Sequence, residues 1–156
     1  MSTRDHDERA ADRPGPPGPV GARSDDPARA AVRAGTQADP AEVRAFAIEA
    51  ARLLDDRKCE DVVLLDVRTL SEVCDYVIVG TGTSDRQMRS VADELADEGK
   101  ARGHACFSTA KDSAATWIVV DFVDVVVHLF EPSQRAYYDL ESLWSDAPEI
   151  AWARPD

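Results

Sequence analysis

Metal and disulfide chemistry have little to work with in this chain. It holds three cysteines and three histidines among 156 residues. Cys59, Cys74 and Cys106 cannot all be paired, and their spacing contains no C-x-x-C. Neither a disulfide framework nor a zinc site is indicated, and no metal or other cofactor is expected. Free thiols suit a reducing compartment, so the expected location is cytoplasmic. Positive charge is scarce too: 18 Lys plus Arg stand against 30 Asp plus Glu, a net charge of −12. A chain this acidic repels phosphate backbones, which argues against a general or sequence-specific nucleic-acid binder. No apolar run approaches the roughly 20 residues a membrane-spanning helix needs, and no membrane partner is expected.

Phe, Trp, Tyr, Leu and Ile are all missing from residues 1–39, which instead hold five of the nine prolines and four of the eight glycines. Such a segment cannot bury enough apolar surface to offset the entropy of ordering it. The expectation for 1–39 is a disordered tail, with an extended polyproline-like stretch over Pro14–Pro19. A secretory signal would need an apolar centre. An organelle transit peptide would be poor in acids, whereas this stretch carries Asp5, Asp7, Glu8, Asp12, Asp25, Asp26 and Asp39. From Ala41 onward there are 12 basic and 23 acidic residues, so the folded part carries nearly all the charge, −11. One domain over 40–152 is expected, followed by a short C-terminal end over 153–156.

Asp39-Pro40-Ala41-Glu42 reads as a helix start, with an acceptor before the first turn and proline inside it. Val43, Phe46, Ala47, Ala50 and Leu54 follow at the spacing of one helical face, to about Arg57. The runs 62–67 and 76–79 suit buried strands. Ser84-Asp85-Arg86-Gln87 fits a capping box, Met88, Val91, Ala92 and Leu95 form an apolar stripe, and Gly99 and Gly103 weaken or close that helix. His104–Ser108 reads as a short strand and 109–115 as a loop. The runs 117–122 and 125–130 read as a hairpin. A last helix starts at Pro132, with Ala136, Tyr137, Leu140, Leu143 and Trp144 on one side. The order is α-β-β-α-β-β-β-α: an α/β fold with a mixed five-stranded sheet flanked by helices.

Candidate chemistry is thin. Gly80-Thr81-Gly82-Thr83-Ser84 lies between a strand and a helix, where backbone N–H groups could hold a phosphate. It lacks the third glycine of a dinucleotide fingerprint and the Gly-Lys-Ser/Thr of a P-loop. A nucleotide-binding transferase using that turn stands as the alternative reading. No D-x-D pair sits on a strand to hold magnesium. His104 and Cys106 would share a strand face, but no oxyanion-hole sequence accompanies them, and no catalytic residue is assigned.

The hairpin says more. With an even loop, Ile118 and Val120 share a face with Val125, Val127 and Leu129, while Trp117, Val119 and Asp121 share the other with Val126, His128 and Phe130. The second face is either half-buried under a helix, with His128 satisfied locally, or a recognition surface anchored by tryptophan. A loop of Phe122-Val123 would place Asp121 opposite Asp124, an unfavourable pairing unless a cation or a basic partner offsets it.

The segments Leu64-Leu65-Asp66-Val67-Arg68, 75–87 (DYVIVGTGTSDRQ), 117–122 (WIVVDF), 124–130 (DVVVHLF) and 137–144 (YYDLESLW) closely resemble the ribosomal silencing factor (RsfS, or Iojap-like) family, in order, from about residue 42 to 152. The resemblance implies a nucleotidyltransferase-like fold without its catalytic carboxylates, in keeping with the missing D-x-D. It implies a non-enzymatic factor that binds ribosomal protein L-fourteen on the intersubunit face of the large ribosomal subunit. There it would block subunit joining and repress translation; homodimerisation of the free protein stays open. The residues expected at the partner are Trp117, Asp121, Asp124, His128 and Glu131 on the hairpin, then Tyr138, Asp139 and Trp144 on the last helix, with Tyr137 and Leu140 expected in the core. The family usually has glycine where Val123 stands. A β-branched residue disfavours φ > 0, so a different or longer turn is expected.

Overall fold

The computed structural model describes residues 26–36 and 38–155. The stretch 1–25, with the expected polyproline-like segment, lies outside the described residues, as do Gln37 and Asp156. The elements are α1 (Pro27–Gly35), α2 (Pro40–Asp56), β1 (Glu60–Asp66), β2 (Tyr76–Thr81), α3 (Asp85–Ala101), β3 (Ser108–Lys111), β4 (Trp117–Asp121), β5 (Val125–Phe130) and α4 (Pro132–Tyr138), then a 3-10 helix at Leu140–Trp144. From residue 40 on the order is the expected one, closing on a mixed five-stranded sheet β1-β2-β5-β4-β3. Only β2 and β5 run parallel; the other neighbours are antiparallel.

Both long helices start where side chains can satisfy their free N–H groups. Asp39 accepts from Ala41 N–H at 3.2 Å, with Pro40 in the first turn. Ser84 Oγ accepts from Gln87 N–H while Gln87 Oε1 accepts from Thr83 N–H, both at 3.0 Å. Val43, Phe46, Ala47, Ala50 and Leu54 of α2 and Met88, Val91, Ala92 and Leu95 of α3 are all buried, in one core with Ile118, Val120, Val125, Val127 and Leu129. Val77, Val79, Trp117, Val119, Val126 and Phe130 fill the other face of the sheet, under Leu140 and Trp144 of the 3-10 helix. With both faces covered, β2, β4 and β5 are buried at every position.

The outer edge of β1 is closed by the chain end. Asp66 N–H donates to Pro148 O at 2.9 Å and Ile150 N–H to Leu64 O at 2.8 Å. Arg154, within the short C-terminal end that begins at 153, forks onto both oxygens of Asp56. The opposite edge, β3, is only four residues long, which limits stray pairing.

Three local expectations need correcting. The short strand is Ser108–Lys111 rather than 104–108, because Thr109 and Ala110 lie opposite Val120 and Val119 in the ladder. The last helix is not continuous. Asp139 takes φ +48 and breaks it into α4 and the 3-10 helix, which turns the intended apolar side. Tyr137, expected in the core, is therefore 50% exposed and Leu143 63%, while Leu140 is buried as expected. The stretch 1–39, expected to be a plain tail, contains α1, capped by Asp26 accepting from Ala28 and Arg29 N–H.

Candidate functional site

The β4–β5 hairpin keeps the even facing. Trp117 pairs with Phe130, Val119 with His128 and Asp121 with Val126. The loop is one residue further along than the Phe122-Val123 version, since Phe122 N–H donates to Val125 O at 2.8 Å. Asp121 and Asp124 therefore do not face each other. Val123 nevertheless takes φ +72, in the region that a β-branched residue disfavours. Asp124 N–H donates back to Phe122 O at 2.9 Å, a tight three-residue turn that strains a β-branched residue. Both backbone groups of Val123 are held: its N–H by Asp121 Oδ1 at 2.8 Å, its carbonyl by Arg29 Nη2 at 2.9 Å.

Trp117 does not project as an anchor. It is 2% exposed, its ring 4.7 Å from Phe130 and 4.4 Å from Tyr138. Its indole N–H donates to His128 Nδ1 at 3.1 Å. That bond leaves the imidazole proton on Nε2, and burial pushes the His128 pKa down to about 3. Of the two readings of this face, the one with His128 neutral and locally satisfied describes the conformation seen. Trp144 is buried in the same cluster.

The carboxylates are already paired from within the chain. Arg29 Nε lies 2.6 Å from Asp121 Oδ2 and its Nη2 3.0 Å from Asp121 Oδ1. The same guanidinium donates from Nη1 to Val73 O at 2.8 Å. Arg33 bridges Asp124 Oδ1 and Asp75 Oδ1, at 2.5 and 2.9 Å. Neither arginine was singled out from the sequence. The available signal was Asp26-Pro27, the same helix-opening pair as Asp39-Pro40.

Glu131 caps α4, accepting from Ser133 N–H and Oγ, and that backbone N–H first of all holds its carboxyl below the usual range. Asp139 is exposed at the helix break and accepts from Ser142 Oγ at 2.5 Å. Tyr138 is half-buried against Trp117.

The Gly80–Ser84 turn has packing reasons for its glycines. A Cβ on Gly80 would stand 2.7 Å from Leu54 Cδ2, and one on Gly82 2.1 Å from Met88 Cγ. The N–H groups of Thr83 and Gln87 are engaged by the cap. His104 stacks on Phe46 at 4.7 Å and Cys106 Sγ donates to Ser108 O, so the two do not act as a pair. Among the described residues no group of three or more His, Cys, Asp or Glu could hold a metal ion, and no helix is long and apolar enough to cross a membrane.

The family profile described as "Ribosomal silencing factor during starvation" matches residues 40–156. The chain is 40% identical over 99 residues to the ribosomal silencing factor RsfS of Bacillus subtilis, covering 64% of this chain and 84% of that protein. It is 32% identical over 112 residues to the chloroplastic protein Iojap of Zea mays, covering 72% of this chain and 49% of that one. A crystal structure of a protein from Chromobacterium violaceum superposes with a TM-score of 0.61 at 32% identity, covering 76% of this chain and 95% of that one.

Proposed function

The chain belongs to the ribosomal silencing factor family, non-enzymatic regulators of translation, and from that premise we propose that it docks on ribosomal protein L-fourteen at the intersubunit face of the large subunit. Its bulk there obstructs the small subunit. The observation that carries the reading is the family match over residues 40–156.

Charge supports the manner of docking. With 12 basic and 23 acidic residues from Ala41 onward, the domain is attracted to a basic ribosomal protein and repelled by the surrounding RNA. Encounter is steered by charge and weakened by salt. Of the eight residues nominated from the sequence, Glu131, Tyr138 and Asp139 keep open surface and are proposed as contacts. Trp117, His128 and Trp144 support that surface from behind. A standard interface of about 800 Å² per partner fits on a domain this size.

Co-sedimentation of the purified protein with isolated large and small ribosomal subunits tests the proposal. Retention by the large subunit alone, weaker at high salt, is expected, together with fewer joined particles on a gradient. Retention by neither or both, or unhindered joining, overturns it.

A further inference from the structure

Helix α1 is attached in an unusual way. Arg29 is its one buried residue, 3% exposed, while Val32 is half exposed. By contrast α2 buries six apolar residues. No apolar stripe holds α1 to the sheet; two guanidinium groups do. At nine residues it is also shorter than a helix that persists alone in water. Its docked state therefore depends on Arg29 and Arg33 remaining seated, and such charge-assisted contacts can be exchanged for chemically identical ones.

The cleft that receives Arg29 is shaped for a planar fork. Two oxygens of Asp121 and the carbonyls of Val73 and Val123 take its donors from three directions. An ammonium group cannot span these four acceptors at once. Asp124 and Asp75 offer a second seat beside it, filled by Arg33. All these acceptors lie within the family-matched stretch 40–156, whereas α1 lies outside it.

We propose that α1 is a removable plug: it occupies in cis a guanidinium-binding cleft formed by Asp121, Asp124 and Asp75, and an arginine-bearing segment of a basic protein partner takes that cleft when α1 is released. The partner half of this rests on the ribosome-docking reading; the plug half does not. Release bares three carboxylates at once, so the chain is most attractive to a basic partner when α1 is out.

Two full-length variants test it. Arg29→Ala/Arg33→Ala empties both seats, and Ala31→Pro breaks α1 while keeping both arginines, which covers the case in which the first fails to fold. The probe is a fluorescein-labelled peptide of residues 26–36, read by anisotropy. Both variants are expected to bind it at least ten-fold more tightly than the unaltered chain. A peptide with both arginines changed to lysine should lose that gain, as should Asp121→Asn placed in the Ala31→Pro background. Equal affinities across the three proteins, or a lysine peptide binding as well as the arginine one, overturn the plug. Binding to isolated large subunits should rise in the same order. Equal binding by all three proteins overturns competition by α1 and leaves the docking reading standing. Tighter peptide binding with no subunit binding by any of them sustains the plug and overturns the docking reading.

Discussion

Lys58 and Gly103 occupy the same slot in two copies of one helix-ending motif. After α2, Lys58 N–H donates to Asp55 O at 3.0 Å and Cys59 N–H to Leu54 O at 2.9 Å. After α3, Gly103 N–H donates to Lys100 O at 3.2 Å and His104 N–H to Gly99 O at 2.7 Å. This is the Schellman arrangement, and its turning residue needs a left-handed backbone: φ is +74 at Lys58 and +84 at Gly103. Only glycine takes that conformation without steric cost. Lys58→Gly should stabilise the fold by about 1 kcal/mol, and Gly103→Ala should destabilise it by a similar amount. Urea unfolding midpoints moving in opposite directions would verify the equivalence.

Gly99 shows where helix propensity loses. Alanine there would gain about 1 kcal/mol of propensity. Its Cβ, however, would lie 2.5 Å from both His104 O and Phe122 Cε1. The first of these is backbone held by the motif just described, so it cannot yield. Overpacking of this kind costs about 1–3 kcal/mol. Net of the propensity gain, Gly99→Ala should lower stability by up to about 2 kcal/mol, and a raised thermal midpoint would contradict the packing.

His128 should make the fold acid-sensitive. Its pKa is about 3 in the folded chain, against ~6.5 when unfolded. Between those values the unfolded chain binds a proton that the folded chain refuses, so stability falls as pH drops through this window. The slope approaches about 1.4 kcal/mol per pH unit. Between pH 7.5 and 5.0 that amounts to roughly 2 kcal/mol, which His128→Gln should remove from the pH dependence. Identical slopes in the two proteins would refute it.

Thiol reactivity should separate the cysteines. Burial pushes Cys74 up to about 12 and also raises Cys59, whereas Cys106 is partly open. Ionisation alone makes Cys74 about a thousand-fold less reactive than a free thiol. Ellman's reagent should therefore titrate one thiol quickly in the native protein and the other two after unfolding. Fast labelling of all three would show the sheet to be more open than described.

Truncating Trp117 should act through the fold. Trp117→Ala empties a site between Phe130, Tyr138 and His128 and should cost about 3–5 kcal/mol of stability. Trp117→Phe keeps a ring there but leaves His128 Nδ1 without its donor, at about 1–3 kcal/mol. A Trp117→Ala protein as stable as the original, yet unable to bind large subunits, would restore the anchor role.

Elements with a strong local signal could be read directly. Asp39-Pro40 with its apolar stripe, the Ser84–Gln87 cap and the two valine-rich runs of the hairpin each carry a pattern that one packing arrangement satisfies. The break at Asp139 could not be read, because 136–144 keeps a helical spacing and nothing in it forbids continuation. Trp117 and His128 were equally ambiguous. A mixed aromatic and polar strand face looks the same whether a neighbouring segment covers it or a partner does, and only the position of Leu140 and Trp144 decides.

Composition, periodicity and the order of motifs were enough to determine the α/β class and the family, since these follow from local spacing and side-chain type; the even loop that fixes the hairpin's facing was only a condition until the fold set its register. Which acids stay free to meet a partner was decided by tertiary structure alone. Arg29 and Asp121 stand 92 positions apart, and no pattern along the chain encodes that two such distant charges will share one buried cleft; that depends on where the folded sheet places its ends.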